Sequence, residues 1–322
     1  MNQIRLHPKY QSLFNSDSRY FVITGGRGSG KSYAATLFLN LLTYEEGNGI
    51  LFTRYTMSSA SMSIIPEFND KIEMMGAQDS FTITKNDIRN KHTDSFIYFS
   101  GIKTASGDQT AKLKSISGIN TFVLDEAEEL LDEESFDKID YSIRAKGVRN
   151  RVLLILNPTT KEHWIYQRFF QNRGIPDGFN GTKDNVTYIH TDYRDNIDNL
   201  SESFVKQVED MKIRRPDKYK HQILGGWLQK AEGVVFDDWQ IGRFNEEMQL
   251  TCYGLDIGFS RDESVLTKVS IDKQRKIIWV KEMFYKKGLV TSNIYELCQR
   301  HAGKQLIVCD SSEPRLIAEL NS

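Results

Sequence analysis

The chain has 322 residues, of which 39% are hydrophobic and 26% charged, a composition typical of a globular protein with room for two domains. Basic and acidic residues number 42 and 43, so the net charge neither requires nor excludes a polyanionic partner. Three scattered cysteines argue against a disulfide framework, and without a secretory signal or a long apolar run the sequence predicts a cytoplasmic protein with no membrane partner.

The first 200 residues contain short runs of β-branched and aromatic residues separated by helical stretches. Several runs are apolar throughout, which is typical of strands covered on both faces of a mainly parallel sheet. A helical stretch follows the first run at 31–46, and this alternation predicts an α/β, doubly wound domain. The runs are 20–24, 50–54, 95–100, 121–125, 152–156 and 186–190.

The composition changes after residue 200. Residues 201–230 are helical in pattern, are interrupted at Pro216 and end at Gly225 and Gly226, which predicts a small helical connector. A second β-rich series follows, and because it covers only about 90 residues we expect an incomplete domain. Its predicted strands are 251–259, 264–272, 276–285 and 305–310, with a helix over 291–301. The predicted division is 1–200, 201–235 and 236–322.

The segment GGRGSGKS, residues 25–32, fits the phosphate-binding pattern G-x-x-x-x-G-K-[ST] between a predicted strand and a predicted helix. We expect Lys31 to reach the β- and γ-phosphates of a nucleotide and Ser32 to bind Mg²⁺. Arg27 is placed to approach the γ-phosphate as a finger in cis, although a surface role also fits. The predicted nucleotide-binding residues of this loop are Gly25, Gly26, Arg27, Gly28, Ser29, Gly30, Lys31 and Ser32.

The run TFVLDEAEEL predicts the second half of a hydrolytic site. Asp125 ends an apolar strand, where its carboxylate can hold the metal, and Glu126 can polarise the attacking water. Glu128 and Glu129 fit the acidic start of a helix. A glutamate beside the metal aspartate favours an ATPase over a switch GTPase. Asn157, after the strand VLLIL, fits either a γ-phosphate sensor or a simple Asn-Pro turn.

Two aspartates stand out in the second β-rich series. Asp256 in YGLDIG and Asp310 in LIVCDSSEP lie in or at the end of apolar strands, where an isolated carboxylate is costly unless it is paired or bound to metal. They predict either a two-cation site for phosphodiester cleavage or two turn-capping residues.

Six segments in this order resemble the large subunit of tailed-bacteriophage terminases. They are GGRGSGKS, FVLDEAEEL, LILNPT, YKHQILGGWLQKAEGVVF, YGLDIGF and IVCDSSEP, and they cover residues 20–314. The resemblance implies an ATP-driven motor that packages double-stranded viral DNA into a procapsid, in the cytoplasm of the bacterial host. It also implies a ring on the portal protein, a small terminase subunit as partner, and an RNase H-like nuclease domain using Mg²⁺ or Mn²⁺.

The resemblance implies a role for each of the predicted site residues. Asp256 and Asp310 match the first two nuclease carboxylates, whereas Glu313 and Glu319 follow Asp310 too closely to supply the third, so we expect an incomplete nuclease. The ATPase residues matched are Lys31 and Ser32 at phosphate and Mg²⁺, Arg27 in the loop, Asp125 at the metal, Glu126 as catalytic glutamate and Asn157 in the coupling motif.

Basic residues are the candidates for DNA contact. One group lies in the connector and the other in the stretch 100–115, and both fit either phosphate binding or a solvated charged surface. Two other functions remain open: a metal-dependent nuclease regulated by its P-loop domain, and an inactive prophage remnant. The basic residues are Lys103, Lys112, Lys114, Lys212, Arg214, Arg215, Lys218 and Lys220.

Overall fold

The computed structural model describes residues 4–57, 60–104, 107–108, 118–229, 239–246, 251–258, 263–309 and 319–320, with only the backbone described at 60–63, 104 and 107–108. The chain divides into two compact units, residues 1–235 and 236–322. Each unit has its own sheet and its own buried core.

The first unit contains a ten-stranded sheet whose six central strands are parallel. Their order is β5-β2-β7-β8-β1-β10, and short antiparallel strands extend both edges. The strands are β1 (Tyr20–Gly25), β2 (Gly49–Thr56), β3 (Phe81–Ile83), β4 (Asp87–Asn90), β5 (Phe96–Thr104), β6 (Gly107–Asp108), β7 (Thr121–Asp125), β8 (Arg151–Leu156), β9 (Gly181–Lys183) and β10 (Val186–Thr191).

Helices cover both faces of this sheet. Because side chains alternate along a strand, Phe21 and Ile23 of β1 enter the core on one face while Val22 enters the core on the other. This explains why the central strands are apolar throughout and confirms the predicted two-sided burial. The α-helices are α1 (Ser12–Asn15), α2 (Lys31–Leu42), α3 (Ala60–Met74), α4 (Glu133–Asp140), α5 (Glu202–Arg214) and α6 (Pro216–Lys218). Shorter or wider helical turns are Pro8–Gln11, Gln78–Ser80, Ala127–Glu129, Tyr166–Phe170, Gln171–Arg173, Tyr193–Asn199 and Tyr219–Ile223.

The second unit has a four-stranded sheet in the order β13-β12-β11-β14. Neighbouring strands are antiparallel except for β11 and β14, which run parallel. One helix packs its buried side chains Ile294, Cys298 and Ala302 against the sheet residues Tyr253 and Leu255. The elements are β11 (Thr251–Asp256), β12 (Glu263–Asp272), β13 (Ile277–Lys287), α7 (Thr291–Ala302) and β14 (Ile307–Cys309).

All ten runs predicted as strands are strands in the structure, with ends that differ from the predicted ones by at most four residues. The four strands that the sequence did not indicate, β3, β4, β6 and β9, are two to four residues long and lie at the sheet edges. Segments this short have too few residues for a recognisable alternation of apolar and polar positions.

Candidate active site

The phosphate-binding loop connects β1 to α2. Gly28 and Gly30 adopt left-handed backbone angles, with φ of 78° and 79°, and α2 begins at Lys31 directly after the second of them. Residues with a side chain rarely adopt these angles, so the glycines let the loop curl back over the first turn of the helix. The positive end of α2 is therefore directed into the loop.

Lys31 is buried beneath this loop, with only 8% of its surface exposed. Its Nζ donates to the carbonyl oxygens of Gly25 and Gly26 at 2.9 and 3.0 Å, and to Asn157 Oδ1 at 3.1 Å. Burial lowers the pKa of Lys31 to about 8, while the carboxylates of Glu128 and Asp125 oppose that shift. The backbone of the loop therefore fixes the position of the Lys31 ammonium.

Asp125 and Glu126 come at the carboxyl end of β7. The Asp125 side chain is buried and accepts two hydrogen bonds on Oδ2 from Arg54, from Nε at 2.9 Å and from Nη2 at 2.7 Å. The Glu126 side chain is 42% exposed, and Glu126 Oε1 lies 3.6 Å from Arg54 Nη1. Burial raises the pKa of Glu126, whereas Arg54 lowers it.

Asn157 follows β8, the strand between β1 and β7, and it links Lys31 to an acidic side chain. While its Oδ1 accepts from Lys31, its Nδ2 donates to Glu128 Oε1 at 2.9 Å. Burial raises the pKa of Glu128. Glu128 lies in the helical turn Ala127–Glu129, as expected of an acidic helix start, but its carboxylate is also tied to Asn157. Because β8 lies between β1 and β7, Asn157 at its end can contact both Lys31 and Glu128.

Loop, strand ends and Asn157 enclose one cavity of about 340 Å³. Its lining includes the loop residues 26–30 together with Lys31, Ser32, Asp125 and Glu126. Within the described residues no three His, Cys, Asp or Glu side chains are grouped to hold a metal. Mg²⁺ in phosphate sites takes one or two protein oxygens and completes its shell with phosphates and water, so these residues fit a nucleotide carrying Mg²⁺.

Arg27 and the basic residues predicted to contact DNA are the remaining candidates in the first unit. The side chain of Arg27 is exposed at the mouth of the cavity, and its backbone N–H donates to Gln222 O at 2.9 Å. Several connector cations pair with acids one helical turn away, as Lys212 does with Glu209 at 3.5 Å and Arg214 with Asp210 at 2.8 Å. These pairs favour a solvated helix face for the connector. Lys112 and Lys114 lie outside the described residues.

In the second unit, Asp256 is the last residue of β11 and its side chain is exposed. β11 pairs in parallel with β14, and Leu255 lies opposite Cys309. Asp310, the next residue of the chain after Cys309, lies outside the described residues, as does Glu313.

Sequence reasoning missed two charged residues of the first site. Arg54 ends the predicted strand 50–54, and only the pairing of β2 with β7 brings it to Asp125. Glu67 of α3 lies near the same group: burial raises its pKa, Asp125 adds to the shift, and Lys71 and Arg54 oppose it. An arginine at the carboxyl end of an apolar strand was a usable signal for Arg54, whereas Glu67 had none.

The parallel sheet carries this loop between its first strand and first long helix, and acidic and amide side chains follow at the ends of β7 and β8. This arrangement defines the P-loop class of nucleotide-binding proteins. None of the helices in the described part of the chain has the length and apolarity needed to cross a membrane.

Comparison with known proteins narrows the class. The family model described as phage terminase large subunit matches residues 17–226. The chain is 25% identical over 334 residues to the PBSX phage terminase large subunit of Bacillus subtilis (strain 168), covering 97% of this chain and 75% of that protein. It is 27% identical over 357 residues to the terminase large subunit of Bacillus phage SPP1, covering 99% and 78%.

A solved structure shares the fold. The large terminase of a thermophilic bacteriophage aligns with a TM-score of 0.57 at 15% identity, covering 99% of this chain and 80% of that one. The family match spans well over half of the chain, and the protein therefore belongs to the phage terminase large subunit family.

Proposed function

We propose that this protein hydrolyses ATP to drive double-stranded DNA into a viral procapsid. The observation that carries the proposal is the convergence of Lys31, Asp125, Glu126 and Asn157 on one cavity at the carboxyl ends of β1, β7 and β8. One similar solved structure, the same thermophilic phage's large terminase in another crystal form at a TM-score of 0.55, is a complex with ADP, which supports a nucleotide in this cavity.

In this proposal each side chain has a role set by its position. Lys31 places a buried ammonium beside the loop carbonyls, where it can bind phosphate oxygens, and Ser32 and Asp125 provide oxygens for Mg²⁺. Bound Mg²⁺ offsets the negative charge of the phosphates. Glu126, partly exposed at the cavity wall, orients and polarises the attacking water. We assign Asn157 the role of γ-phosphate sensor, which its contacts with Lys31 and Glu128 support.

The test is ATP turnover with Mg²⁺ and linear duplex DNA. Glu126→Gln keeps the shape of the side chain but cannot take a proton, so we expect kcat to fall by about 10²-fold or more with ATP still bound. Glu129→Gln removes an exposed carboxylate three residues away and serves as the matched control, with turnover like that of the parent. Equal turnover in Glu126→Gln and the parent would contradict the assignment, and no turnover in the parent under any condition would favour an inactive remnant.

A nuclease function for the second unit is favoured by one observation. β11 and β14 are parallel neighbours with Leu255 opposite Cys309, and each of these residues is followed in the chain by an aspartate. We propose that Asp256 and Asp310 belong to an RNase H-like site that binds Mg²⁺ or Mn²⁺ and cuts concatemeric DNA. In this proposal 1–200 is the ATPase domain, 201–235 the connector and 236–322 the nuclease domain.

Nicking of supercoiled plasmid in Mn²⁺ tests the nuclease proposal. Asp256→Asn should abolish nicking, whereas Glu296→Gln on the exposed side of α7 should leave it unchanged. Nicking that persists in Asp256→Asn would overturn the assignment. If nicking occurs without ATP turnover, the nuclease with a regulatory P-loop domain becomes the better description.

The proposed partners follow from packaging itself. Such a motor needs to bind a small terminase subunit, the portal protein and neighbouring copies of itself in a ring. Double-stranded DNA is the substrate that it moves. The test is packaging of DNA into purified procapsids. If these partners act with the ATPase, packaging should require both this chain and ATP.

A further inference from the structure

Arg54 holds the carboxylate assigned to the metal. It lies near the end of β2, one residue beyond the register pair Thr53–Leu124, so that β2 and β7 bring Arg54 and Asp125 side by side. Both hydrogen bonds from Arg54 end on Asp125 Oδ2, at 2.9 and 2.7 Å, which leaves Oδ1 for another ligand. A third nitrogen of Arg54 lies 3.6 Å from Glu126 Oε1.

This contact is well sheltered from water. The side chain of Asp125 is 6% exposed and that of Arg54 is 21% exposed, so solvent and salt screen the pair only weakly. The planar guanidinium fixes the direction of Asp125 with two donors, an arrangement that a lysine ammonium cannot reproduce. Arg54 also interacts electrostatically with Glu67 of α3, so its charge balances several carboxylates at once.

The same balance acts against a divalent cation. Arg54 already neutralises much of the Asp125 carboxylate charge, so this carboxylate attracts a divalent cation less strongly. The positive charge of Arg54 also repels a cation bound within a few ångströms. The phosphates of a bound nucleotide add negative charge beside Asp125, and this charge makes binding of a divalent cation favourable. We propose that Arg54 is a positioning residue that makes metal binding at Asp125 depend on bound nucleotide, an inference that rests on the proposed ATPase site.

Titration of the full chain with Mn²⁺, followed by electron paramagnetic resonance, tests the inference with and without a non-hydrolysable ATP analogue. Without nucleotide, Arg54→Ala should bind Mn²⁺ about tenfold more tightly than the parent, because one positive charge beside Asp125 is gone. Arg54→Lys keeps the charge and should bind Mn²⁺ as weakly as the parent. Adding Asp125→Asn to Arg54→Ala should remove the gain.

Turnover gives the second readout. Both Arg54→Ala and Arg54→Lys lose the two-donor grip on Asp125, so kcat should fall in both by about tenfold or more while KM for ATP stays close to that of the parent. Arg89→Ala provides the matched control, because Arg89 pairs with Asp94 at 2.7 Å at an exposed site on β4. That variant should match the parent in Mn²⁺ affinity and in kcat.

The inference is overturned if folded Arg54→Ala binds Mn²⁺ no more tightly than the parent without nucleotide. Circular dichroism checks the fold, and if Arg54→Ala does not fold, Arg54→Gln decides in its place because it removes the charge and keeps an N–H donor. Absence of ATP turnover in the parent would defeat the proposed function, while the Mn²⁺ comparison among folded variants would still decide the role of Arg54.

Discussion

Lys31 illustrates how single residues of the site are held before any ligand arrives. Its ammonium is satisfied by two loop carbonyls and by Asn157, and burial lowers its pKa to about 8, which leaves it mostly protonated at neutral pH. A buried charge without such partners would be costly. The loop therefore positions the cation and the cation in turn rigidifies the loop.

Glu126 adopts a backbone conformation that side chains disfavour, with φ 53° and ψ 45°. Elsewhere Ala is usually more stable than Gly, but here a Cβ costs energy. We expect Glu126→Gly to exceed Glu126→Ala in free energy of unfolding by roughly 1 kcal/mol, measured by urea denaturation. The same pair of substitutions at Glu296, within α7, should show the opposite order by about 1 kcal/mol. If Ala is the more stable residue at both positions, the backbone strain assigned to Glu126 is wrong.

His163 predicts a pH dependence of stability. Its Nδ1 accepts from the N–H of Ile165 at 3.2 Å and its Nε2 lies 3.2 Å from the carbonyl oxygen of Glu128, so the neutral ring is fully satisfied. Burial lowers its pKa below the ordinary 6.5. The unfolded chain then binds the proton more readily, and the contribution of His163 to stability, complete above about pH 6.5, is lost as the pH falls through the folded pKa.

Urea unfolding at several pH values between 5 and 8 measures this effect. His163→Gln should lose less stability on acidification than the parent does. His92→Gln changes an exposed ring and should keep the parent profile. Identical profiles for all three proteins would exclude His163 as a source of the pH dependence.

Among the elements, the phosphate-binding loop and the connector are in direct contact. The N–H of Arg27 donates to Gln222 O at 2.9 Å, and a Cβ added to Gly26 would lie 1.8 Å from Ile223 O. Asn196 Nδ2 donates to Gly28 O at 3.0 Å from a second direction. The backbone of the loop is thus supported by neighbouring segments, and close approach of that backbone requires glycine at position 26.

Gly225 tests this contact. Its φ is +71°, and a Cβ there would lie 2.6 Å from the carbonyl carbon of Gly25, whereas Gly147 has a similar φ of +75° with nothing within 4 Å. Gly147→Ala should therefore cost only backbone strain, about 1 kcal/mol. Gly225→Ala should destabilise the protein more and also weaken binding of a fluorescent ADP analogue, because the loop must shift. Equal effects of the two substitutions on stability and on ADP binding would mean that the contact is unimportant.

At the scale of the whole molecule, two units have separate cores. Leu154 is fully buried in the first and Leu266 in the second. Replacing either by Ala removes buried methyl groups and should cost about 2–5 kcal/mol in the unit concerned. We expect Leu154→Ala to lower the temperature at which ADP binding is lost, and Leu266→Ala to leave it unchanged while lowering a separate calorimetric transition. A common transition lowered equally by both variants would contradict separate folding.

How much the sequence predicted depends on how local each feature is. The parallel strands, the loop and the pair Asp125–Glu126 were predictable, because each is specified by a run of fewer than ten residues with its own periodicity or turn chemistry. The short edge strands were not, because pairing with a neighbour rather than their own pattern defines them. The exposure of Asp256 was also beyond local reasoning, since burial depends on what covers a strand.

The sequence by itself determined that a loop of the phosphate-binding pattern lies between β1 and α2 and that an acidic pair ends a later strand. Only the tertiary structure decided which side chains complete the site, because Arg54 and Asp125 are 71 residues apart and Lys31 and Asn157 are 126 apart. The strand order brings them together: β2 beside β7, and β8 between β7 and β1. That order is set by hydrogen bonding and core packing between distant segments, and these interactions leave no mark in any short stretch of sequence.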